Sequence, residues 1–344
     1  MKEKKGKKQS GFVNWWKELC RTHGADEYRE FYMRGWDTAR LDQPNRTYPW
    51  MYTRVLGVTF LLFALMAFIT ALTGERMQYL GYPTVVTLGG LLLGLPVLVF
   101  IYELYPRRDF SLAKLCLCMT ICTAVTDVAV NLGYFALQPA NPWVSGIWTV
   151  VLEETAKAIP ALVAIVLMRK RTPMGALVIA AACGVGMGLS EDLGYIFIAS
   201  SQEGVDMSNL VIMTLVRALP SIGGHMIWTG LIGWAFGKLR RPLLDVRFWL
   251  MCLASMGIHY LWNIPLESGA GLATAAAFGI GLLSFEYIVR KERRRVFAEM
   301  SDAQVETAES DESVVARKYS AVGIATVAVA ILIGIGGIVF CCLY

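Results

Sequence analysis

The sequence predicts an all-α fold, a polytopic transmembrane bundle of about nine helical spans. Of its 344 residues, 56% are hydrophobic and only 17% are charged, whereas about a quarter are charged in soluble domains. Apolar runs of about 20 residues, the length that crosses a bilayer as a helix, recur along nearly all of the chain. The basic residues lie at the ends of these runs, where they orient the protein, so the net charge of +5 says little about nucleic acid.

The predicted organisation has five segments in chain order. Residues 1–50 form a basic arm and amphipathic juxtamembrane helices, and residues 51–83 hold the first span and its outer loop. Spans two to eight form a core over residues 84–290, followed by a cytosolic linker at 291–320 and a last transmembrane helix at 321–344. The nine predicted spans lie near residues 55–73, 84–102, 112–137, 143–168, 174–199, 209–236, 248–266, 270–289 and 321–343.

The distribution of basic residues predicts the orientation. With nine spans, the amino-terminal arm and the basic residues near 107–108, 169–171, 238–241 and 290–295 fall on one side of the membrane. The loops on the opposite side contain almost no Lys or Arg. The positive-inside rule therefore predicts a multi-pass protein of the plasma membrane with a cytoplasmic amino terminus.

Two adjacent glutamates, Glu153 and Glu154, interrupt the fourth apolar run. A charge at the bilayer centre costs about 2.5–3.5 kcal/mol on insertion scales, so such groups are retained when they are paired, neutralised or functional. Glu153 and Lys157 are four residues apart and are predicted to pair on one helix face. Glu153 would then stay ionised and Glu154 would be the neutral carboxyl, a combination that suits acid–base chemistry on water.

Three further spans carry polar residues to a comparable depth. They are Glu191 and Asp192 on the fifth span, His225 on the sixth, and His259 on the seventh. Four consecutive helices with such groups at one depth predict a common polar site. Asn263 shares a helix face with His259, and this pair could bind a metal or donate hydrogen bonds to a developing oxyanion.

These residues leave more than one class of function open. A hydrolase and a proton- or ion-coupled transporter would both use carboxylates and histidines inside the membrane. A transporter predicts internal repeats with corresponding broken helices, and no convincing repeat is present. Pro220 and the Gly223-Gly224 pair are predicted to break or bend the sixth helix just before His225.

Four motifs together resemble the PrsW family of intramembrane proteases, which is related to the CAAX prenyl endopeptidases and to bacteriocin-immunity-type membrane proteases. The resemblance covers about residues 85–290. Its motifs are Glu153-Glu154-x-x-Lys157, Gly184-x-Gly-x-x-x-x-Glu191-Asp192-x-x-Tyr195, Arg217 followed by His225, and His259-x-x-Trp262-Asn263. Two positions beside the motif glutamate depart from the family pattern, Met187 for a usual Phe and Asp192 for a usual Asn, and they bear on substrate preference.

The resemblance implies an intramembrane endopeptidase of the metalloprotease type that hydrolyses membrane-anchored proteins, with anti-sigma factors as the best-known substrates. It implies that Glu153 or Glu154 activates water, and that Glu191, His225 and His259 bind a divalent metal, zinc by expectation, or position the water. In the related CAAX enzymes the counterparts of His259 and Asn263 are thought to stabilise the oxyanion, and a metal can be dispensable. The residues implied to support the site are Lys157, Asp192, Tyr195 and Arg217. The expected partners are the lipid bilayer and a membrane-anchored protein, with no nucleic acid.

Overall fold

The computed structural model describes residues 11–33, 49–73, 78–137, 139–200, 207–263 and 271–299. Within these ranges the predicted all-α fold is confirmed, because the chain forms helices and no strand. The predicted last span lies outside the described residues, as does the linker beyond residue 299.

Ten α-helices and one short 3-10 turn make up the described part. They are α1 (Gly11–Cys20), α2 (Ala25–Met33), α3 (Met51–Thr73), α4 (Gln78–Leu104), α5 (Leu112–Ala136), α6 (Pro142–Leu167), α7 (Pro173–Ser200), α8 (Met207–Lys238), the 3-10 turn (Pro242–Leu244), α9 (Val246–Trp262) and α10 (Gly271–Ala298).

Helices α3 to α10 correspond to the first eight predicted spans. The largest difference is at α10, which continues to Ala298 and so includes residues 291–298 of the predicted linker. Contacts with the bundle stabilise this extension. The buried carboxylate of Glu292 accepts a hydrogen bond from Trp234 Nε1 at 3.0 Å, and Arg293 donates to the carbonyl oxygen of Leu104 at 2.7 Å.

The described helices are those of an integral membrane protein. Four are long and apolar enough to cross a bilayer, namely residues 51–73, 81–104, 112–136 and 173–200. Large apolar side chains project outward from the first of them, among them Val58, Leu61, Leu65 and Phe68. A contiguous apolar surface of this kind is stable when lipid covers it.

Helix α7 is the centre of the bundle. Every residue from Met174 to Gly188 is buried, and the helix contacts α4, α5, α6, α8 and α10. Its closest neighbour is the antiparallel helix α8. A helix that is apolar all round and enclosed on all sides is expected at the core of a membrane bundle.

Two glycines of α7 allow the backbone of α8 to approach closely. A Cβ atom at Gly184 would lie 2.2 Å from the carbonyl oxygen of His225, and one at Gly188 would lie 2.8 Å from the Cα of Ile222. Small residues permit such close helix packing within membranes. The glycine motif therefore holds His225 against α7, less than two helical turns from Glu191.

Replacing Gly184 by Ala is expected to destabilise the protein and impair its activity. The added methyl group meets a backbone atom that cannot rotate away, and overpacking of this kind costs about 1–3 kcal/mol. Gly194 on the same helix is a matched control because a Cβ there would meet no atom within 4 Å. We expect Gly194→Ala to preserve or raise stability, since Ala favours helix over Gly by about 1 kcal/mol. Equal unfolding temperatures of the two variants in detergent would contradict this packing account.

Helix α8 is continuous from Met207 to Lys238. Of the predicted break or bend at Pro220 and the Gly223-Gly224 pair, the break does not occur, because α8 passes through all three positions as helix. A bend stays a prediction.

The amino-terminal helices α1 and α2 pack against the bundle at the start of α3 and the end of α4. Arg54 donates from Nη2 to the carbonyl oxygens of Leu19 and Arg21, each at 3.0 Å, and so caps the end of α1. His23 stacks on Trp50 with ring centroids 3.4 Å apart. Burial and the nearby Arg21 lower the pKa of His23 to about 4. His23 is thus a neutral, buried packing residue, in keeping with the absence of a sequence-based role for it.

Candidate active site

Polar residues from four helices meet inside the bundle. The structure brings together six of the residues named from the sequence, namely Glu153 and Glu154 on α6, Glu191 on α7, His225 on α8, His259 on α9, and Asn263 at the end of α9. Hydrogen bonds and ion pairs connect them into one cluster.

Lys157 lies at the centre of this cluster and is almost completely buried. Its Nζ atom is 2.5 Å from Glu154 Oε1 and 2.8 Å from His225 Nδ1. The predicted pairing of Lys157 with Glu153 is therefore wrong, since the partner is Glu154, three residues away. Both spacings place side chains side by side on a helix. The fully buried Glu154 takes the ammonium group because an unpaired charge at that position would be far more costly.

His225 links Lys157 to Glu191. An ammonium group can only donate hydrogen bonds, so Nδ1 of His225 accepts from Lys157 and the ring proton resides on Nε2. Nε2 then donates to Glu191 Oε2 at 2.7 Å. The chain of contacts thus runs from α6 through α8 to α7.

His259 forms the second branch of the cluster. Its Nδ1 donates to Glu154 Oε1 at 2.7 Å, and its Nε2 accepts from the side-chain amide of Asn263 at 3.2 Å. Glu154 Oε1 thus accepts from both Lys157 and His259. Glu154 Oε2 is buried and has no hydrogen-bond partner within the described residues.

Glu153 has a different environment from its neighbour Glu154. Its side chain is 12% exposed, whereas that of Glu154 is 0% exposed. Glu153 Oε1 lies 3.4 Å from the hydroxyl of Tyr134, and Oε2 lies 3.8 Å from His259 Nε2. The side chain of Glu191 is 27% exposed. Glu153 and Glu191 therefore form the open side of the cluster, where its carboxylates are most exposed.

Three residues of the cluster fit a divalent metal. Donor atoms of Glu153, Glu191 and His225 all lie within 4.8 Å of one another. Two carboxylates and an imidazole are ligands typical of catalytic zinc. Three carboxylates against one ammonium also leave excess negative charge that a divalent cation would balance. Since His225 Nε2 donates to Glu191, its proton must leave when a metal binds.

This group differs from the ligand set expected from the sequence. Glu153 belongs to it, whereas His259 does not, because His259 is not among the residues whose donor atoms all lie within 4.8 Å of one another.

Trp228 of α8 is part of the cluster. Its ring stacks on His259 with centroids 4.0 Å apart and planes at 15°. It also meets the edge of His225 and lies 5.6 Å from Lys157 Nζ. A fully buried indole in these contacts restricts both imidazoles to one orientation. Nothing in the local sequence separates this tryptophan from an ordinary core residue.

Helix α5 contributes residues on one face to the open side of the site. Asp127 Oδ2 accepts from Ser190 Oγ at 2.7 Å, which ties α5 to α7 next to Glu191. Asn131 donates to the backbone of Asp127, and Tyr134 reaches Glu153. The spacing of Asp127, Asn131 and Tyr134 is that of one helix face, so this pattern could have identified Tyr134.

The remaining predicted supporting residues are Asp192 and Tyr195 on α7 and Arg217 on α8. Asp192 is completely buried and Tyr195 is 47% exposed. Arg217 belongs to α8, and its side chain is outside the described part of the structure.

The chain matches a known protein family. A family model described as PrsW family intramembrane metalloprotease matches residues 110–289, more than half of the chain. The match includes α5 to α9, most of α10 and every residue of the cluster. No curated protein and no solved structure matches the chain significantly.

Proposed function

The chain belongs to the PrsW family of intramembrane metalloproteases, and we propose that it hydrolyses a peptide bond of a membrane-anchored protein at the cluster around Lys157. Its class, a membrane-embedded hydrolase, follows from the family. We further propose the class of its substrate and a role for each residue of the cluster.

One observation carries the assignment of roles, the contrast between the two adjacent glutamates. Glu154 is fully buried, and its Oε1 atom is bound by Lys157 and His259, so it is held as a structural anion. Glu153 faces the open side of the cluster, and its contacts to the Tyr134 hydroxyl at 3.4 Å and to His259 Nε2 at 3.8 Å are both long. We assign Glu153 as the general base that takes a proton from the attacking water.

Of the three residues whose donor atoms fit a divalent metal, Glu191 and His225 are assigned as its ligands and Glu153 as the base beside it, with zinc as the candidate ion. A bound metal would supply a Lewis acid that polarises the scissile carbonyl and makes water a better nucleophile. Glu153 lies close enough to both residues to receive the proton that this water loses. It then returns the proton to the leaving amine as the peptide bond breaks.

Asn263 and His259 support the developing oxyanion in this scheme. The side-chain amide of Asn263 has two N–H groups, one of which contacts His259 Nε2. The other is available to the oxyanion. His259 is fixed by Glu154 and Trp228 and acts by holding Asn263 in place.

The proposed substrates are membrane-anchored proteins of the anti-sigma-factor type. The site is enclosed by apolar helices, so a substrate segment that reaches it must itself be apolar enough to be stable in the bilayer. The distribution of basic residues supports a plasma-membrane protein with a cytoplasmic amino terminus. The transporter alternative has no specific observation in its favour, and membership of a protease family argues against it.

Comparative membrane proteomics tests the proposed function. We expect a deletion strain and a strain carrying Glu154→Gln to accumulate the same uncleaved membrane precursor. Loss of the Glu154 carboxylate leaves Lys157 and His259 without their shared acceptor, so the variant should be inactive and less stable, and its amount in the membrane is measured together with the proteome. Identical membrane proteomes in wild-type and Glu154→Gln strains would count against proteolysis.

Metal analysis of purified protein tests the ligand set. We expect one zinc ion per chain in the wild type, and its loss in Glu191→Gln and His225→Ala. His259→Ala should retain zinc, because His259 lies outside the group of donor atoms that are within 4.8 Å of one another. Loss of zinc in His259→Ala, with retention in Glu191→Gln, would reverse the assignment.

A further inference from the structure

A second group of potential metal ligands lies away from the active site and consists of sulfur atoms alone. Cys118 and Cys122 are four residues apart on α5, and Cys183 lies opposite them on α7. Their sulfur atoms all lie within 4.8 Å of one another. All three are free thiols, with Cys122 and Cys183 buried and Cys118 partly buried.

The thiol cluster is separate from the hydrolytic site. Cys183 precedes Glu191 by eight residues, which is roughly 12 Å along the helix axis. It lies toward the end of α7 that follows the basic segment 169–171. None of its three members contributes to the contacts of the glutamates and histidines described above.

We propose that Cys118, Cys122 and Cys183 form a three-coordinate site for a soft monovalent cation of the copper(I) type. Thiolate ligands select soft metals such as copper(I), and the group contains no oxygen or nitrogen donor that a hard cation would need. Tetrahedral zinc would require a fourth ligand beyond these three sulfurs.

Charge balance in the apolar interior favours a monovalent ion. When one thiol releases its proton to the buffer, its thiolate and one copper(I) ion form a neutral unit with two neutral thiols. A divalent ion would require two deprotonated thiols for the same neutrality. An uncompensated charge is costly in this environment, so the monovalent ion demands the smaller change.

A bound ion would join α5 to α7 next to a close approach of α7 and α8. Cys183 is followed by Gly184, where a Cβ atom would lie 2.2 Å from the carbonyl oxygen of His225. The thiol cluster is thus positioned to stabilise the helix pair that carries the active-site residues Glu191 and His225.

Copper(I) titration of the full-length protein in detergent, without oxygen and against a colorimetric copper(I) chelator, tests the proposal. The starting protein carries Cys341→Ala and Cys342→Ala, because this adjacent pair could bind the same ion. We expect one copper(I) ion per chain. Cys118→Ala, Cys122→Ala and Cys183→Ala should each weaken binding at least tenfold, and Cys116→Ala, on the same helix but outside the group, should leave binding unchanged.

Two further measurements keep the proposal falsifiable if an alanine variant fails to fold. Cys118→Ser preserves the size of the side chain and should also weaken binding tenfold, and X-ray absorption should show a copper shell of three sulfur atoms. The proposal is overturned if the protein takes up no copper(I), or if binding survives in all the cluster variants. It is also overturned if zinc(II) binds to the three thiols in preference to copper(I), and a cluster without affinity for either ion is a packing feature only.

Discussion

Glu153→Gln is expected to reduce peptide-bond cleavage by about 10²–10⁴-fold, the usual contribution of a positioned general base. Glutamine keeps the size of the side chain and the contact distance to Tyr134, but it cannot accept a proton from water. Because the Glu153 side chain is only partly buried and makes no close ion pair with Lys157, the variant should fold and accumulate normally. The measurement is the ratio of precursor to product in membranes that contain equal amounts of enzyme.

The zinc content of the same variant separates two roles for Glu153. If it is the base, Glu153→Gln loses cleavage and keeps the ion held by Glu191 and His225. If it is mainly a ligand, the ion and the cleavage are lost together. Tyr134→Phe removes the hydroxyl near Glu153 and should have a smaller effect on rate, since the contact is 3.4 Å long. Undiminished cleavage by Glu153→Gln would contradict the assignment of the base.

Lys157→Met is expected to have the largest effect on stability, about 3–5 kcal/mol, since it leaves a buried carboxylate without its partner. Glu154 is completely buried, and Lys157 is the only ammonium group that contacts it within the described residues. The loss should appear in the free energy of unfolding by denaturant in mixed micelles. Lys114→Met is a matched control on the exposed surface of α5, where a change within about 0.5 kcal/mol is expected.

A double variant tests whether loss of the charge pair between Glu154 and Lys157 causes the loss of stability. Removal of both charges in Glu154→Gln/Lys157→Met leaves no unpaired ion, so much of the lost stability should return. Additive losses in the double variant would show that Lys157 stabilises the bundle through packing against Trp228 instead.

The sequence could predict the fold because each apolar run has the length and composition of a membrane span. The starts of α5, α6, α7 and α8 fall within two residues of the predicted ones. Composition alone was less informative for α10, whose charged extension to Ala298 is stabilised by long-range contacts of Glu292 and Arg293.

The sequence also indicated which residues form the site, but it could not indicate which of them contact one another. The position of each residue along its span predicted a similar membrane depth for Glu191, His225 and His259, and the structure places them in one cluster. Whether Lys157 faces Glu153 or Glu154 depends on the rotation of α6 in the bundle, which spacing of three or four residues does not decide. The stacking of Trp228 on His259 depends on the packing of α8 against α9 and has no sequence signature.

The most direct test of a hydrolytic site at Glu153, Glu191 and His225 is cleavage of the accumulated precursor by purified enzyme in proteoliposomes. The wild-type protein should produce the fragment seen in cells, and chelation of the metal should stop the reaction until zinc is restored. Glu153→Gln should produce at least about 100-fold less product at equal zinc content. Cleavage at the wild-type rate by Glu153→Gln, or none by the zinc-loaded wild type, would contradict the account.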